Sequence, residues 1–195
     1  MFFFYDFNDT YKDALIVKLV CDWNESSTVP LGRTLIQKLC YFAEAVGVPL
    51  GYAFSVYQYG PYSQELYAHI DDMVSAGLVY DRNAANRQKA GTSAYAAGEA
   101  AAYLLDLHKD ALCKDAEAKI RFVVEHFRQK TPRQLELLST THYYYAANKS
   151  FHRGADEISL KDSTIMNVAE AKKRKFDRSE IEEAYRLIRD TPQLN

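Results

Sequence analysis

Gly60-Pro61 stands where two incompatible patterns meet. Before it, Tyr52 to Tyr59 is aromatic and β-branched enough for a strand. After it, Leu66, Ile70, Met73 and Val74 recur at helical spacing. The chain must turn from an extended to a helical path within a few residues, and these two residue types permit or preset that geometry. Pro61 suits a first helical turn, and Ser63 offers a cap instead. A fold for this chain has to place a strand and a helix on either side of one sharp turn.

The flanking segments are helical. Asp9 or Thr10 can cap a first helix carrying Leu15, Ile16, Leu19, Val20 and Trp23. Asn24 to Pro30 reads as a loop. A second helix starts near Gly32, shows a broad apolar face through Val46, and is stopped by Gly47 and Pro49. After the turn, a helix over 63–76 ends at Gly77, and Leu78-Val79-Tyr80 reads as a short strand. Asp81 to Ser93 is a polar hairpin, and Ala94-Tyr95 a return strand. From Gly98 the pattern is helical again. Candidates are 100–107, a segment marked by Ile120 to Phe127, and one opened by Thr131-Pro132 that runs to Tyr145. Two more run over 163–176 and 179–189, the last opened by a Ser179–Glu182 capping box. Lys149 to Lys161 reads as a hinge.

The expected fold is therefore mainly α with a small β component, a winged-helix-like core plus a C-terminal helical extension. The module with its N-terminal arm spans 1–96. The helical extension over 97–195 packs on it or continues it as one domain.

Composition narrows the functional classes. Of 195 residues, 24 are basic and 26 acidic, giving a net charge of -2, so nucleic-acid contact needs a local patch rather than a basic surface. Cys21, Cys40 and Cys113 are sparse and form no C-x-x-C pair, which points to a reducing, cytoplasmic compartment. The start Met1-Phe2-Phe3-Phe4-Tyr5 lacks the basic region and cleavage pattern of a signal peptide, and no apolar run reaches membrane-span length.

Two motifs look familiar. Gly32-Arg33-Thr34-Leu35-Ile36-Gln37-Lys38-Leu39-Cys40-Tyr41-Phe42 is followed by Tyr59-Gly60-Pro61-Tyr62-Ser63 and Glu65-Leu66. This ordered pair resembles the YwgA-like proteins and, more distantly, the Panacea-domain, SocA-like antitoxins. Leu135 to Thr141 also resembles the YwgA-like pattern. The resemblance implies a bacterial winged-helix-like protein engaged in regulation or toxin neutralisation. Read from the residues alone, Gln37 and Lys38 lie on the polar flank of their helix, orienting it against the turn. Tyr59, Tyr62 and Tyr67 are either core and rim residues or an exposed aromatic contact surface.

No constellation points to chemistry. His69, His108, His126, His142 and His152 are dispersed, and no metal, phosphate-loop or nucleophile motif is present, so no catalytic, cofactor or metal residue is assigned and no enzyme activity is expected. The helix over 63–76, which would enter a DNA groove, holds Glu65, Asp71 and Asp72 and no lysine or arginine. The remaining candidate nucleic-acid contacts are Arg82, Arg87 and Lys89 in the hairpin and Lys172, Lys173, Arg174 and Lys175 near the C-terminus. The expectation is a non-catalytic, regulatory or antitoxin-like protein. Its partner is another protein or a second copy of itself, with no membrane and no small-molecule substrate. The alternative is a winged-helix transcriptional regulator that binds DNA through the hairpin and the C-terminal basic cluster.

Overall fold

A computed structural model describes residues 7–86, 92–112, 114–151, 156–173 and 175–195. The N-terminal arm, the hairpin tip with Arg87 and Lys89, and Cys113, His152 and Arg174 lie outside the described residues. The fold is mainly helical, with two small two-stranded antiparallel sheets. No described helix is long and apolar enough to cross a membrane.

The chain forms two compact units. The first comprises residues 1–53 and 63–129, the second 54–62 and 130–195. This partition runs elsewhere than the 96/97 division read from the sequence. The helices after residue 98 belong to the first unit up to Gln129, and the segment before Ser63 belongs to the second.

In the first unit, α1 (Phe7–Ser26) is followed by α2 (Arg33–Ala45) and α3 (Gln64–Ser75). Strands β3 (Val79–Asp81) and β4 (Tyr95–Ala97) pair antiparallel, with Tyr80 opposite Ala96. Helices α4 (Ala101–Leu107) and α5 (Lys114–Phe127) complete the unit. Helix α1 starts earlier and ends later than its sequence pattern suggested, and is buried from Asp13 to Val17 without a break. It is therefore enclosed on more than one side, which explains why a simple amphipathic stripe does not describe it. Trp23 is fully buried and its indole N–H donates to the Val29 carbonyl at 2.8 Å, which fixes the turn into α2. Phe42 of α2 stacks on Phe127 of α5 with ring centroids 4.2 Å apart. Cys40 is fully buried among these apolar residues, and burial pushes its thiol up, consistent with a packing role.

In the second unit, β1 (Ser55–Tyr57) and β2 (Gly60–Tyr62) form a hairpin in which Val56 faces Pro61. Here the sequence expectation is corrected. Gly60-Pro61 does not end the strand and open the helix; both residues belong to the return strand, and Ser63 alone caps α3. Gly60 has φ +92, and a Cβ there would lie 2.9 Å from the Thr140 hydroxyl oxygen and 3.3 Å from the Glu136 carbonyl. Position 60 thus needs glycine twice over, for backbone angle and for close approach to α6 (Pro132–Phe151).

Thr131 caps α6, accepting from the Gln134 amide. Next come α7 (Glu157–Ala171), capped by Asp156, and α8 (Arg178–Arg189). The capping box of α8 is Asp177–Glu180, two residues earlier than the expected Ser179–Glu182, with the Asp177 carboxylate accepting from the Glu180 amide at 2.9 Å. Both pairs fit the motif's three-residue spacing. Arg133 binds the Glu180 carboxylate and adds a tertiary partner to the earlier register. Helix α7 begins within the stretch expected as a hinge and ends at Ala171, several residues before the expected Phe176.

The C-terminus is tied to α6. The ring Nε2 of His142 donates to the Leu194 carbonyl at 3.1 Å, and Lys149 binds the Asn195 side chain at 2.8 Å. Burial pushes the His142 imidazole down to about 4, the Leu194 carbonyl opposing the shift only in part.

Two outcomes are expected. Gly60→Ala should destabilise the fold by about 2–4 kcal/mol in urea unfolding, from backbone strain and overpacking against Thr140; an unchanged midpoint would show that the hairpin shifts freely. His142 should make stability acid-sensitive. The unfolded chain binds its proton below about pH 6.5, while the native chain resists until about 4. Stability is therefore lost as pH falls through that window, by about 3 kcal/mol in total. Unfolding of wild type and His142→Gln between pH 7 and 4 checks it: the difference between the two should shrink as the pH is lowered.

Candidate functional site

The motif residues meet at the start of α3. Gln37 of α2 is 3% exposed, and its carboxamide makes two hydrogen bonds to the main chain of Ser63. The Ser63 amide donates to Gln37 Oε1 at 2.9 Å, and Gln37 Nε2 donates to the Ser63 carbonyl at 3.0 Å. The Ser63 hydroxyl in turn accepts from the Leu66 amide at 3.3 Å. One side chain thus satisfies a buried residue's donor and acceptor together, as a neighbouring strand would, and that residue caps the next helix. The sequence placed Gln37 and Lys38 on a polar flank. Both are buried, Lys38 at 2% exposure, because α2 is enclosed by packing on that flank also.

The surface presented by α3 is acidic and aromatic. Gln64, Glu65, Tyr67, Ala68, Asp71, Asp72 and Ser75 are exposed. The cations beside it are already engaged. Arg33 pairs with Asp71 at 2.7 Å and lies 4.7 Å from the centre of the Tyr67 ring. Lys12 pairs with Glu65 at 3.2 Å and sits 3.7 Å over the Tyr52 ring.

Below this face runs a polar relay that sequence reasoning missed. His69 Nε2 lies 2.7 Å from Asp13 Oδ1, and its Nδ1 is hydrogen-bonded to the Tyr52 hydroxyl. The Asp13 carboxylate and the Tyr52 hydroxyl thus stand at the two nitrogens of one ring. The Tyr52 amide donates to the Glu44 carboxylate at 3.1 Å. Burial pushes the Tyr52 hydroxyl up, as do Cys40, Asp13, Glu65 and Glu44 around it. That direction is opposite to the one an activated tyrosinate needs, so the relay pins α1, α3 and the Tyr52 segment together with a protonated tyrosine. Asp13, Tyr52 and His69 are distant in sequence and share no motif spacing, so no sequence signal joins them.

The candidate nucleic-acid residues separate. Arg82 is exposed in the turn after β3, whose base is held by Asp81 accepting from the Asn83 and Ala94 amides. Arg87, Lys89 and Arg174 lie outside the described residues. Lys172 is corrected: its side chain is 1% exposed, 3.0 Å from Glu136 Oε1, and donates to the Gln58 carbonyl at 3.0 Å. Burial pushes its ammonium down, although Glu136 favours the charge. Lys175 donates to the other Glu136 oxygen at 2.7 Å and lies 5.4 Å from the centre of the Tyr59 ring. The lysines at 172 and 175 therefore neutralise a buried carboxylate within the second unit. Lys173, one residue past the helix cap, is exposed with φ +46 in the left-handed position that closes α7. Of the motif tyrosines, Tyr59 and Tyr67 are exposed and Tyr62 is half-buried, edge-on to Tyr57.

No protein-family model matches the chain. It is similar to the uncharacterized protein YwgA of Bacillus subtilis (strain 168), with 27% identity over 179 residues. The match covers 91% of this chain and 96% of that protein, so the likeness extends into both units.

Removing the Gln37 clamp should be costly. Gln37→Leu leaves the Ser63 amide buried and unpaired, while the Ser63 carbonyl keeps the Tyr67 amide as donor, an expected loss of about 1–3 kcal/mol. Gln37→Glu keeps an acceptor for the amide but turns a second acceptor on the carbonyl, and should also destabilise. Urea unfolding of both variants checks this; a wild-type midpoint for Gln37→Leu would mean that Ser63 finds other partners.

Proposed function

We propose that the first unit is a winged-helix module and that the protein is a non-catalytic, regulatory or antitoxin-like binding protein whose partner is a protein. The order α1, α2, α3, β3, β4 supports the winged-helix reading: three helices precede an antiparallel pair joined by a polar hairpin. The observation that carries the functional reading is the exposed face of α3. Glu65, Asp71 and Asp72 lie on it, Tyr67 stands among them, and the nearby Arg33 and Lys12 are spent on its own carboxylates. A helix entering the major groove meets phosphates on both sides and gains from free cations. This face repels phosphate and suits a protein surface with basic groups and an aromatic pocket. The likeness of the Gln37-Lys38 and Gly60-Pro61 motifs to the Panacea-domain, SocA-like antitoxins supports the same class.

Two measurements test this reading. A tagged chain purified from its native cells should hold one protein at constant stoichiometry, and a Tyr67→Ala, Asp72→Arg double variant should lose it while keeping a wild-type unfolding midpoint. In parallel, the fragment upstream of its own gene should show no sequence-specific shift at physiological salt. A specific shift that weakens steeply with salt and is lost on Arg82→Ala would replace this reading with a DNA-binding regulator.

A further inference from the structure

The β1–β2 hairpin of the second unit is paired on one side only. Ser55 faces Tyr62, Val56 faces Pro61 and Tyr57 faces Gly60. Pro61 has no N–H, so the hydrogen bonds of the hairpin run between 55 and 62 and between 57 and 60. The Val56 amide and carbonyl therefore point away from β2, and among the described residues neither finds a hydrogen-bond partner. The two edges of the hairpin differ. The far edge of β2 lacks a donor at Pro61, and Gly60 beside it closes on Thr140 of α6. The edge of β1 carries neither the proline nor the charge that commonly protects an exposed strand. No charged residue occurs anywhere over 45–64.

We propose that the β1 edge pairs with the same edge of a second copy of the chain, antiparallel and centred on Val56, so that two hairpins join into one four-stranded sheet. The open groups of Val56 set the kind of occupant. A donor and an acceptor side by side on one residue are met together by an extended main chain. The residues around Val56 fit that strand to its own copy, as an isologous contact requires. About a two-fold axis at Val56, the amide of each Val56 donates to the carbonyl of the other, and the two β-branched side chains lie opposite each other on one face. Ser55 then stands opposite the partner's Tyr57, and Tyr57 opposite the partner's Ser55. Both residues are exposed, Tyr57 at 61%. A small side chain therefore meets a large one twice, and neither tyrosine meets its own copy. Because 45–64 is uncharged, the axis sets no charge of this segment against its own image, which would oppose the pairing. The inference does not depend on the partner proposed for α3, because it uses only the hairpin of the second unit.

The test uses the full chain. Sedimentation velocity should show a concentration-dependent monomer–dimer equilibrium. Val56→Lys and Val56→Glu should each weaken it at least about tenfold, because each sets two like charges directly opposite. An equimolar mixture of the two should recover association, since lysine then meets glutamate across the axis. A defect in the hairpin itself would not be mended by mixing, and melting curves of both variants check the fold directly. Register is read by mild oxidation with wild type as background. Ser55→Cys mixed with Tyr57→Cys should cross-link between copies, whereas neither variant alone should. The cysteine variants keep Val56 and decide the register whatever the melting curves show. A chain that stays monomeric at every concentration overturns the proposal and leaves the edge to a strand of another protein. So does a dimer indifferent to both Val56 variants, a mixture that fails to reassociate although both variants melt as wild type, or cross-linking of Ser55→Cys alone.

Discussion

The pairing of Gln37 with Ser63 is the contact on which the arrangement of the first unit depends. The chain leaves that unit after Ala53, runs through the β1–β2 hairpin, and rejoins it at Ser63. At the point of return, main-chain groups are buried and need partners, and α3 needs a cap. Gln37 supplies the first and Ser63 the second. The position of α3 beside α2, and with it the acidic face of Glu65, Asp71 and Asp72, follows from this one carboxamide. The Tyr52–His69–Asp13 relay then ties the middle of α3 to α1.

The second unit rests on a different device. Glu136 is buried in α6 and would be costly alone; Lys172 and Lys175 reach it from the segment that closes α7, and Lys172 also binds the hairpin carbonyl of Gln58. In the run of basic residues that suggests a nucleic-acid tail in sequence, Lys172 and Lys175 are the counter-charge of an interior acid, and Lys173 is exposed. Among the described residues of this unit, Tyr57, Tyr59, Phe151, Ile158 and Met166 are large apolar side chains left exposed.

Much of the helical framework was legible in the residues. Helices α2 and α3 appeared within a residue or two because Gly47, Gly77 and Ser63 punctuate them and apolar residues recur at helical spacing. The hairpin was misread because Gly60-Pro61 is a strong turn signal in sequence, and only a pairing partner reveals it as a strand. The α8 cap was misplaced for a similar reason: Asp177–Glu180 and Ser179–Glu182 both satisfy the spacing rule, and Arg133, from another helix, engages Glu180 of the first.

The sequence by itself determined most of the helical segments, the ends of α2 and α3, and that the helix after Ser63 offers carboxylates rather than cations, because propensity, capping and side-chain charge are local properties. Tertiary structure alone decided which polar residues are interior. Gln37, Lys38, Glu136 and Lys172 look like solvated helix flanks in sequence and become buried because their helices are enclosed on more than one side. It also decided the relay of Asp13, Tyr52 and His69, whose members meet only when three separate segments pack. Burial and long-range pairing depend on what covers a residue, and a single sequence carries no local mark of its cover.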